Sequence, residues 1–274
     1  MRVAACQLNS KDNKEENIRI ALELLDKAAG FGADVAVLPE YTDFMGDNAG
    51  ALAAMEQIPG PLSDRIAAKA REHKMWVLLG SMHAGIEGAN QCANTSVLFD
   101  RDGNIATTYQ KLHLYDVDLP GRVVYKESDT VVAGTEVVTA DIEGTIAGLS
   151  ICYDVRFPEI YRLQALNGAK ILFVPAAFML YTGRDHWELL LRARAVENQC
   201  FVVAAGQVGT YMPGKACAGR SMIIDPWGTV LATAPDTTGV IVADLDFSQL
   251  NKIRDELPSL LNRRPDVYAL GEAA

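Results

Sequence analysis

Thr145-Ile146-Ala147-Gly148-Leu149-Ser150-Ile151-Cys152-Tyr153-Asp154-Val155-Arg156-Phe157-Pro158-Glu159 passes from one structural period to another within a few residues. Residues 145–151 are small or apolar with no polar face, the pattern of a strand covered on both sides. Pro158 fits the first turn of a following helix, where a missing N–H costs nothing. The segment therefore reads as strand, corner, helix, with Cys152 at the corner. A helix N-terminus there would favour thiolate over thiol. The segment alone also allows a buried structural cysteine, since free cysteine is among the most buried residue types.

The same alternation extends outward in both directions. Residues 3–8 read as a strand, and 14–29 as an amphipathic helix with Ile18, Ala21, Leu22, Leu25, Ala28 and Ala29 on one face. A continuous apolar strand at 34–38 is closed by Pro39-Glu40. A helix at 61–74 and strands at 76–81 and 94–100 follow, with Asp102-Gly103 as a turn between strands. Past a loop at 111–135 come strands near 136–140 and 145–151, a helix at 158–167, a strand at 171–175, a helix at 187–198 and a strand at 201–206. Strands at 220–224, 230–233 and 239–244 form a meander that turns at Pro226-Trp227-Gly228. A last helix covers 247–256.

The meanders exclude the strict alternation of a Rossmann sheet or a (β/α)₈ barrel. The continuous apolar strands require cover on both faces. An α/β arrangement of two packed sheets with helices outside meets both conditions. No linker or repeat interrupts the chain, so residues 1–274 read as one domain.

A hydrophobic fraction of 49% supports a large core, and a net charge of −10 argues against nucleic acid and anionic membrane as partners. Five cysteines, none spaced C-x-x-C, argue against a zinc knuckle or a disulfide framework. No H-E-x-x-H occurs, and neither a metal nor an organic cofactor is expected. The longest apolar run, 171–180, contains Pro175 and is too short to span a bilayer. The N-terminus offers no signal-like segment, so the expected home is a reducing cytoplasm with free thiols.

A cysteine nucleophile needs a base and an oxyanion donor. Glu40 stands at the lip of the strand at 34–38, and Lys111 follows a strand at 107–110. Each alone is ordinarily a solvated loop end. Together, Leu38-Pro39-Glu40, Lys111-Leu112-His113-Leu114-Tyr115-Asp116 and Cys152-Tyr153-Asp154-Val155-Arg156-Phe157-Pro158-Glu159, in that order, resemble the nitrilase superfamily of carbon–nitrogen hydrolases. Asp225-Pro226-Trp227-Gly228 and Arg263-Arg264-Pro265-Asp266-Val267-Tyr268 are similar to its Nit-type amidase branch, which includes omega-amidases and deaminated glutathione amidases. The resemblance covers residues 3–268.

It implies a four-layer αββα sandwich, a homodimer or higher homo-oligomer with residues 258–274 at a subunit contact, and a Glu-Lys-Cys triad. By position the triad is Glu40, Lys111 and Cys152. A second family glutamate matches Glu127, in Tyr125-Lys126-Glu127-Ser128, whose other reading is a solvated loop carboxylate. In the chemistry expected, Glu40 takes the Cys152 proton, and Lys111 with the Tyr153 N–H holds the oxyanion. Glu127 orients the leaving group or the water.

In the Nit-type branch the position of Arg156 implies contact with a substrate carboxylate; the alternative is a structural ion pair with Asp154, Glu159 or a distant acid. Phe178, Tyr181 and Trp187 fall on the loop after 171–175, where they either wall the pocket or join the core. His113 and His186 could form a Cys-His dyad, but the resemblance makes Glu40 the base and leaves them hydrogen-bonding roles. Glu197 is expected to neutralise an arginine across the fold, and Cys6, Cys92, Cys200 and Cys217 to be structural. The function expected is hydrolysis of a small carboxylate-bearing amide to acid and ammonia through a cysteine thioester. The alternatives are a nitrile or N-carbamoyl hydrolase, which the triad does not distinguish, and a non-catalytic binding protein on the same fold.

Overall fold

In the computed structural model, which describes residues 1–121 and 123–268, the first strands send alternate side chains into two different cores, as the two-residue period of extended chain requires. In β1 (Arg2–Gln7), Val3 and Ala5 enter one core and Ala4 and Cys6 the other. β2 (Val35–Val37) divides as Val35 and Val37 against Ala36. β3 (Trp76–Gly85) divides as Trp76 and Leu78 against Val77 and Leu79. The outer of these cores lies under α1 (Lys14–Gly30) and α3 (Pro61–His73); the short α2 (Asn48–Ala54) stands between them in sequence. Asn13 caps α1 by accepting from the Glu16 N–H, and Pro61 opens α3.

The inner core joins this sheet to a second one. The chain continues through β4 (Cys92–Phe99), β5 (Ile105–Gln110), the hairpin β6 (Asp116–Leu119) and β7 (Val123–Lys126), and β8 (Val131–Val132). Then come β9 (Thr139–Ile142), β10 (Thr145–Leu149), α4 (Pro158–Leu166), β11 (Ile171–Phe173), α5 (Leu180–Asn198) and β12 (Phe201–Ala204). A hairpin of β13 (Val208–Met212) and β14 (Lys215–Ala218) precedes β15 (Met222–Ile224), β16 (Val230–Thr233), β17 (Gly239–Asp244) and α6 (Phe247–Glu256). Among the described residues, one sheet runs β17-β1-β2-β3-β4-β5 with β8 on β4, and the other β16-β15-β12-β11-β10-β9. Each is parallel at its centre and antiparallel at its flanks. α4 and α5 cover the second sheet with Ile160, Tyr161, Trp187 and Leu191. The layers are helix, sheet, sheet, helix, the αββα sandwich that the resemblance implies. No helix among the described residues is long and apolar enough to cross a membrane.

Several elements differ from the sequence reading, α2 and β8 among them. α5 begins at Leu180 rather than near 187, because Gly183, Arg184 and Asp185 break the apolar period of its first turns. Gly183 is the contact point: a Cβ there would lie 2.4 Å from the Ala218 side chain on β14. The hairpin β6–β7 stands within the stretch read as a loop, since most of its residues are exposed and leave no burial pattern to read. The hairpin β13–β14 is hidden because most of its residues are half-buried and show no clean alternation of buried and exposed positions.

Candidate active site

Glu40 leaves β2 through Leu38 and Pro39 and is held by unusually close backbone packing. A Cβ at Gly80 would lie 1.9 Å from the Leu38 carbonyl oxygen and 2.5 Å from that of Pro39. Glycine therefore lets β3 run against this turn, where the Leu38 N–H donates to the Leu78 carbonyl (2.9 Å) and the Thr42 N–H to that of Ser81 (3.0 Å). Gln207 Nε2 donates to the Glu40 carbonyl at 2.9 Å. Lys111 follows β5, its N–H donating to the Asn94 carbonyl on β4 at 2.9 Å. Glu127 opens a 3₁₀ turn after β7. Cys152 follows β10 and stands at φ 47°, a left-handed conformation costly for a residue with a Cβ. Its N–H donates to the Pro175 carbonyl at 2.8 Å.

These residues, more than a hundred positions apart at the extremes, meet in one buried cluster. Lys111 Nζ donates to Glu40 Oε1 and Glu127 Oε2, each at 2.9 Å. Asn94 Nδ2 bridges the same carboxylates, at 2.9 Å to Glu40 Oε1 and 3.1 Å to Glu127 Oε1. The Tyr41 hydroxyl and the Tyr115 N–H each donate to Glu127 at 2.6 Å. The Ala177 N–H donates to Glu40 Oε2 at 2.7 Å, and Cys152 stands close enough for the Glu40 carboxylate to act on its thiol. Glu40, Lys111 and Glu127 are each 1% exposed and Cys152 8%. All four line the same cavity, and Cys152 is the most exposed of them.

The electrostatics follow from this burial. Desolvation works against the Lys111 ammonium, but Glu127 and Glu40 outweigh it and hold its pKa well above the ordinary value. Desolvation also works against the Glu127 carboxylate, yet Lys111, Tyr41 and the Tyr115 N–H keep its pKa below the usual range. Cys152 behaves differently from the sequence expectation. It opens a single 3₁₀ turn, Cys152–Arg156, and α4 begins only at Pro158. Burial first, and then the Glu40 carboxylate, push the Cys152 pKa well above the usual thiol range. Both effects favour the protonated thiol.

The cavity around the sulfur has about 60 Å³ of free volume and is lined by Glu40, Lys111, Glu127, Cys152, Tyr153, Arg156 and Phe178, among others. Arg156 forms no ion pair with Asp154 or Glu159. Its Nη1 lies 3.2 Å from His186 Nδ1, and its guanidinium sits over the rings of Phe178 (5.1 Å) and Tyr153 (5.8 Å). The Tyr153 N–H occupies the second position of the 3₁₀ turn, where an amide has no partner within its own turn. Tyr181 is apart from this group: it is 49% exposed on α5 and faces a different cavity. Trp187 belongs to the core, with Nε1 donating to the Arg220 carbonyl. His113 holds Asp154 through Nδ1, and Glu197 pairs with Arg194 on its own helix rather than across the fold. Cys6, Cys92, Cys200 and Cys217 are buried and free.

Asn94, Tyr41 and the Ala177 N–H complete the cluster without having been singled out in the sequence. Asn94-Thr95-Ser96 inside an otherwise apolar strand was the available signal, since buried polar side chains need partners. The one group of potential metal ligands among the described residues, Asp26, Glu72 and His73, lies on α1 and α3, where Lys69 and His73 already pair with Asp26.

The family model for carbon-nitrogen hydrolase matches residues 2–255. The chain is 41% identical to mouse deaminated glutathione amidase over 271 residues, covering 97% of this chain and 84% of the relative. It is 35% identical to mouse omega-amidase NIT2, covering 98% and 97%. The crystal structure of the C. elegans NitFhit protein is similar with a TM-score of 0.93 at 38% identity, over 98% of this chain and 66% of that one.

Proposed function

The chain belongs to the carbon–nitrogen hydrolase family, and from that premise we propose that it hydrolyses a small carboxylate-bearing amide through a thioester on Cys152. The observation that carries this reading is the buried Glu40–Lys111 ion pair standing with Cys152 on the wall of one small cavity. As the sulfur attacks the amide carbonyl carbon, a C–S bond forms and the thiol proton passes to Glu40. The raised pKa of Cys152 favours proton transfer concerted with the attack.

The carbonyl oxygen becomes an oxyanion between the Tyr153 N–H and Lys111. Lys111 Nζ donates to Glu40 Oε1 at 2.9 Å and to Glu127 Oε1 and Oε2 at 3.1 and 2.9 Å, so it stabilises the oxyanion chiefly through its charge. The C–N bond then breaks, and Glu40 returns its proton to the departing nitrogen. Water attacks the thioester carbonyl with Glu40 again accepting a proton, and the acid leaves as the thiol is restored. Glu127 keeps Lys111 charged and in place.

Arg156 supports the acidic substrate. It is a guanidinium on the cavity wall, stacked on aromatic faces rather than bound to a carboxylate of the protein. The amide bond is favoured by the names of the relatives, deaminated glutathione amidase and omega-amidase. The tail supports a homodimer: Leu261 and Val267 are 84% and 68% exposed, apolar side chains that a second copy would cover. Residues 269–274 of the expected contact lie outside the described residues.

The test is ammonia release from a panel of primary amides, nitriles and N-carbamoyl compounds, with intact-mass detection of an acyl adduct on Cys152. Acidic amides are expected to turn over fastest. Glu40→Gln should lower kcat by about 10²–10⁴-fold. Adduct formation on a cysteine other than Cys152, or turnover of nitriles alone, would defeat the proposal.

A further inference from the structure

β3 is irregular where it runs beside the turn that carries Glu40. Its register against β4 shifts between Leu79 and Met82, a bulge of the kind that re-aims the residues beyond it. Past the bulge His83 stands directly opposite Asn94, whose side chain bridges Glu40 and Glu127. Directly opposed residues share one face of a sheet. His83 is 5% exposed and lines the cavity around Cys152.

The imidazole is held from several sides. Its Nδ1 and the His83 backbone N–H both donate to Asp43 Oδ2 at 2.9 Å. An ionised carboxylate only accepts, so Nδ1 carries the hydrogen. Asp43 is fully buried and its Oδ1 has no partner, which leaves His83 as the residue that satisfies this carboxylate. One ring face stacks on Tyr41, with centroids 4.6 Å apart and planes 12° from parallel. The Phe44 ring meets it nearly edge-on at 6.4 Å. Phe44 fits because Gly46 and Gly50 leave room for it; a Cβ at either would lie 2.6 or 2.4 Å from the end of its ring.

Tyr41 is the residue that such a hold would serve. It follows Glu40 directly, stands at φ 54°, and its hydroxyl donates to Glu127 at 2.6 Å. Burial, and then the Glu127 charge, keep its pKa well above the ordinary phenol range, so the hydroxyl stays a donor. A left-handed residue with a side chain persists only where its surroundings impose it. Ser81 Oγ accepts from the Tyr41 N–H at 3.0 Å and Gln207 Nε2 donates to the Tyr41 carbonyl at 3.3 Å, contacts that fix the backbone but not the ring. Among the described residues, His83 is the aromatic partner stacked on that ring. Resting on the amide-hydrolase reading above, we propose that His83, anchored by Asp43, is a positioning residue for the reaction. It holds the Tyr41 ring so that the hydroxyl stays on Glu127, and Glu127 in turn stays on Lys111. A residue acting in this way touches no reacting atom, so its loss falls on kcat and leaves KM nearly unchanged. His83 Nε2 takes no hydrogen bond among the described residues, so the competing role is a direct contact with substrate, which would show in KM.

The test follows ammonia release from succinamic acid and the other acidic primary amides of the panel above, with the urea midpoint of each variant measured beside its rate. His83→Gln keeps a donor for Asp43 and removes the ring. Its kcat should fall about tenfold, as for a lost hydrogen bond to a charged group, with KM changed less than about twofold. Asp43→Asn/His83→Phe returns a ring to Tyr41 without leaving a buried charge unpaired, and should recover most of that loss. Tyr41→Phe should cost about as much as His83→Gln, and Tyr41→Phe/His83→Gln no more than either alone, because both act through one hydroxyl. Wild-type kcat in His83→Gln, a loss confined to KM, no recovery in Asp43→Asn/His83→Phe, or additive losses in Tyr41→Phe/His83→Gln would overturn the positioning role, while turnover by the wild type keeps the amide-hydrolase reading intact. A wild-type protein silent toward every amide would remove that reading itself, and the role of His83 with it.

Discussion

Asp154 Oδ1 accepts two hydrogen bonds from His113, one from its backbone N–H at 3.1 Å and one from ring Nδ1 at 2.7 Å. Oδ2 of the same buried carboxylate accepts from the Tyr109 hydroxyl at 2.7 Å and the Ile151 N–H at 2.8 Å. The Tyr109 hydroxyl accepts in turn from the Leu112 N–H at 3.2 Å, and the His113 ring stacks on Phe157 with centroids 3.7 Å apart. One carboxylate thus joins the turn that carries Lys111 to the corner that carries Cys152. The two groups sit on different sheets, β5 and β10, so their separation depends on this bridge.

Asp154→Asn should therefore act on both stability and rate. An amide in this place keeps one acceptor and turns an N–H₂ toward donors, leaving buried donors unpaired. A loss of about 3 kcal/mol in urea unfolding is expected, with kcat at least about tenfold lower in the folded variant. Cys152 should still react slowly with an alkylating agent, because its burial is unchanged. A variant with wild-type stability and rate would show that the bridge does not position the site.

Gly80→Ala tests the backbone contact behind Glu40. The added methyl would meet two carbonyl oxygens, those of Leu38 and Pro39, neither of which is the movable end of a side chain. The turn carrying Glu40 must shift, at a cost of about 1–3 kcal/mol for overpacking. Since Glu40 moves relative to Cys152, kcat should fall more than KM rises. Calorimetry and steady-state kinetics on the same preparation separate the two effects. An unchanged melting temperature would mean that the approach of β3 is looser than described.

Much of this arrangement was legible in the residues themselves. Apolar runs at 34–38, 145–151 and 171–175 give the central parallel strands, because burial on both faces leaves a continuous signature. The order of Glu40, Lys111 and Cys152 at strand ends pointed to a shared site. What stayed hidden depended on partners distant in sequence. The pKa of Cys152 is set by desolvation and by Glu40, which outweigh any effect of the following turn. The role of Asp154 is set by Tyr109 and His113. Tyr181 lies on α5, whose first turn at Leu180 places it beside a second cavity rather than the one around Cys152.

The five buried thiols predict an alkaline limit to stability. Burial pushes Cys92 and Cys200 up to about 11 and Cys6 up to about 12, and Cys152 and Cys217 are also raised. In the unfolded chain a thiol ionises near about 8.5. Above that pH the unfolded state binds fewer protons than the folded one, so stability falls as pH rises. The contribution is fully present below the unfolded value and is lost on the way to the folded ones. At pH 10 each thiol that stays protonated in the fold costs about 2 kcal/mol. The urea midpoint should drop steadily between pH 8.5 and pH 10.5 (roughly the window between those values), and Cys6→Ala should lessen the slope. A flat midpoint over this range would contradict the burial of the thiols.

The C-terminal segment supplies a test of assembly. Gln199 Nε2 donates to the Leu257 carbonyl at 2.7 Å and Leu260 packs on the core, so the start of the tail is anchored. Beyond it Leu261, Val267 and Tyr268 are exposed, and a chain in water gains by covering such a group against another copy. Truncation would also uncover the core beneath Leu260, so substitution is the cleaner probe. Leu261→Asp/Val267→Asp should convert the mass measured by light scattering from dimer to monomer while leaving the far-UV spectrum unchanged. A wild-type monomer, or a double variant that keeps the dimer mass, would remove the tail from the interface.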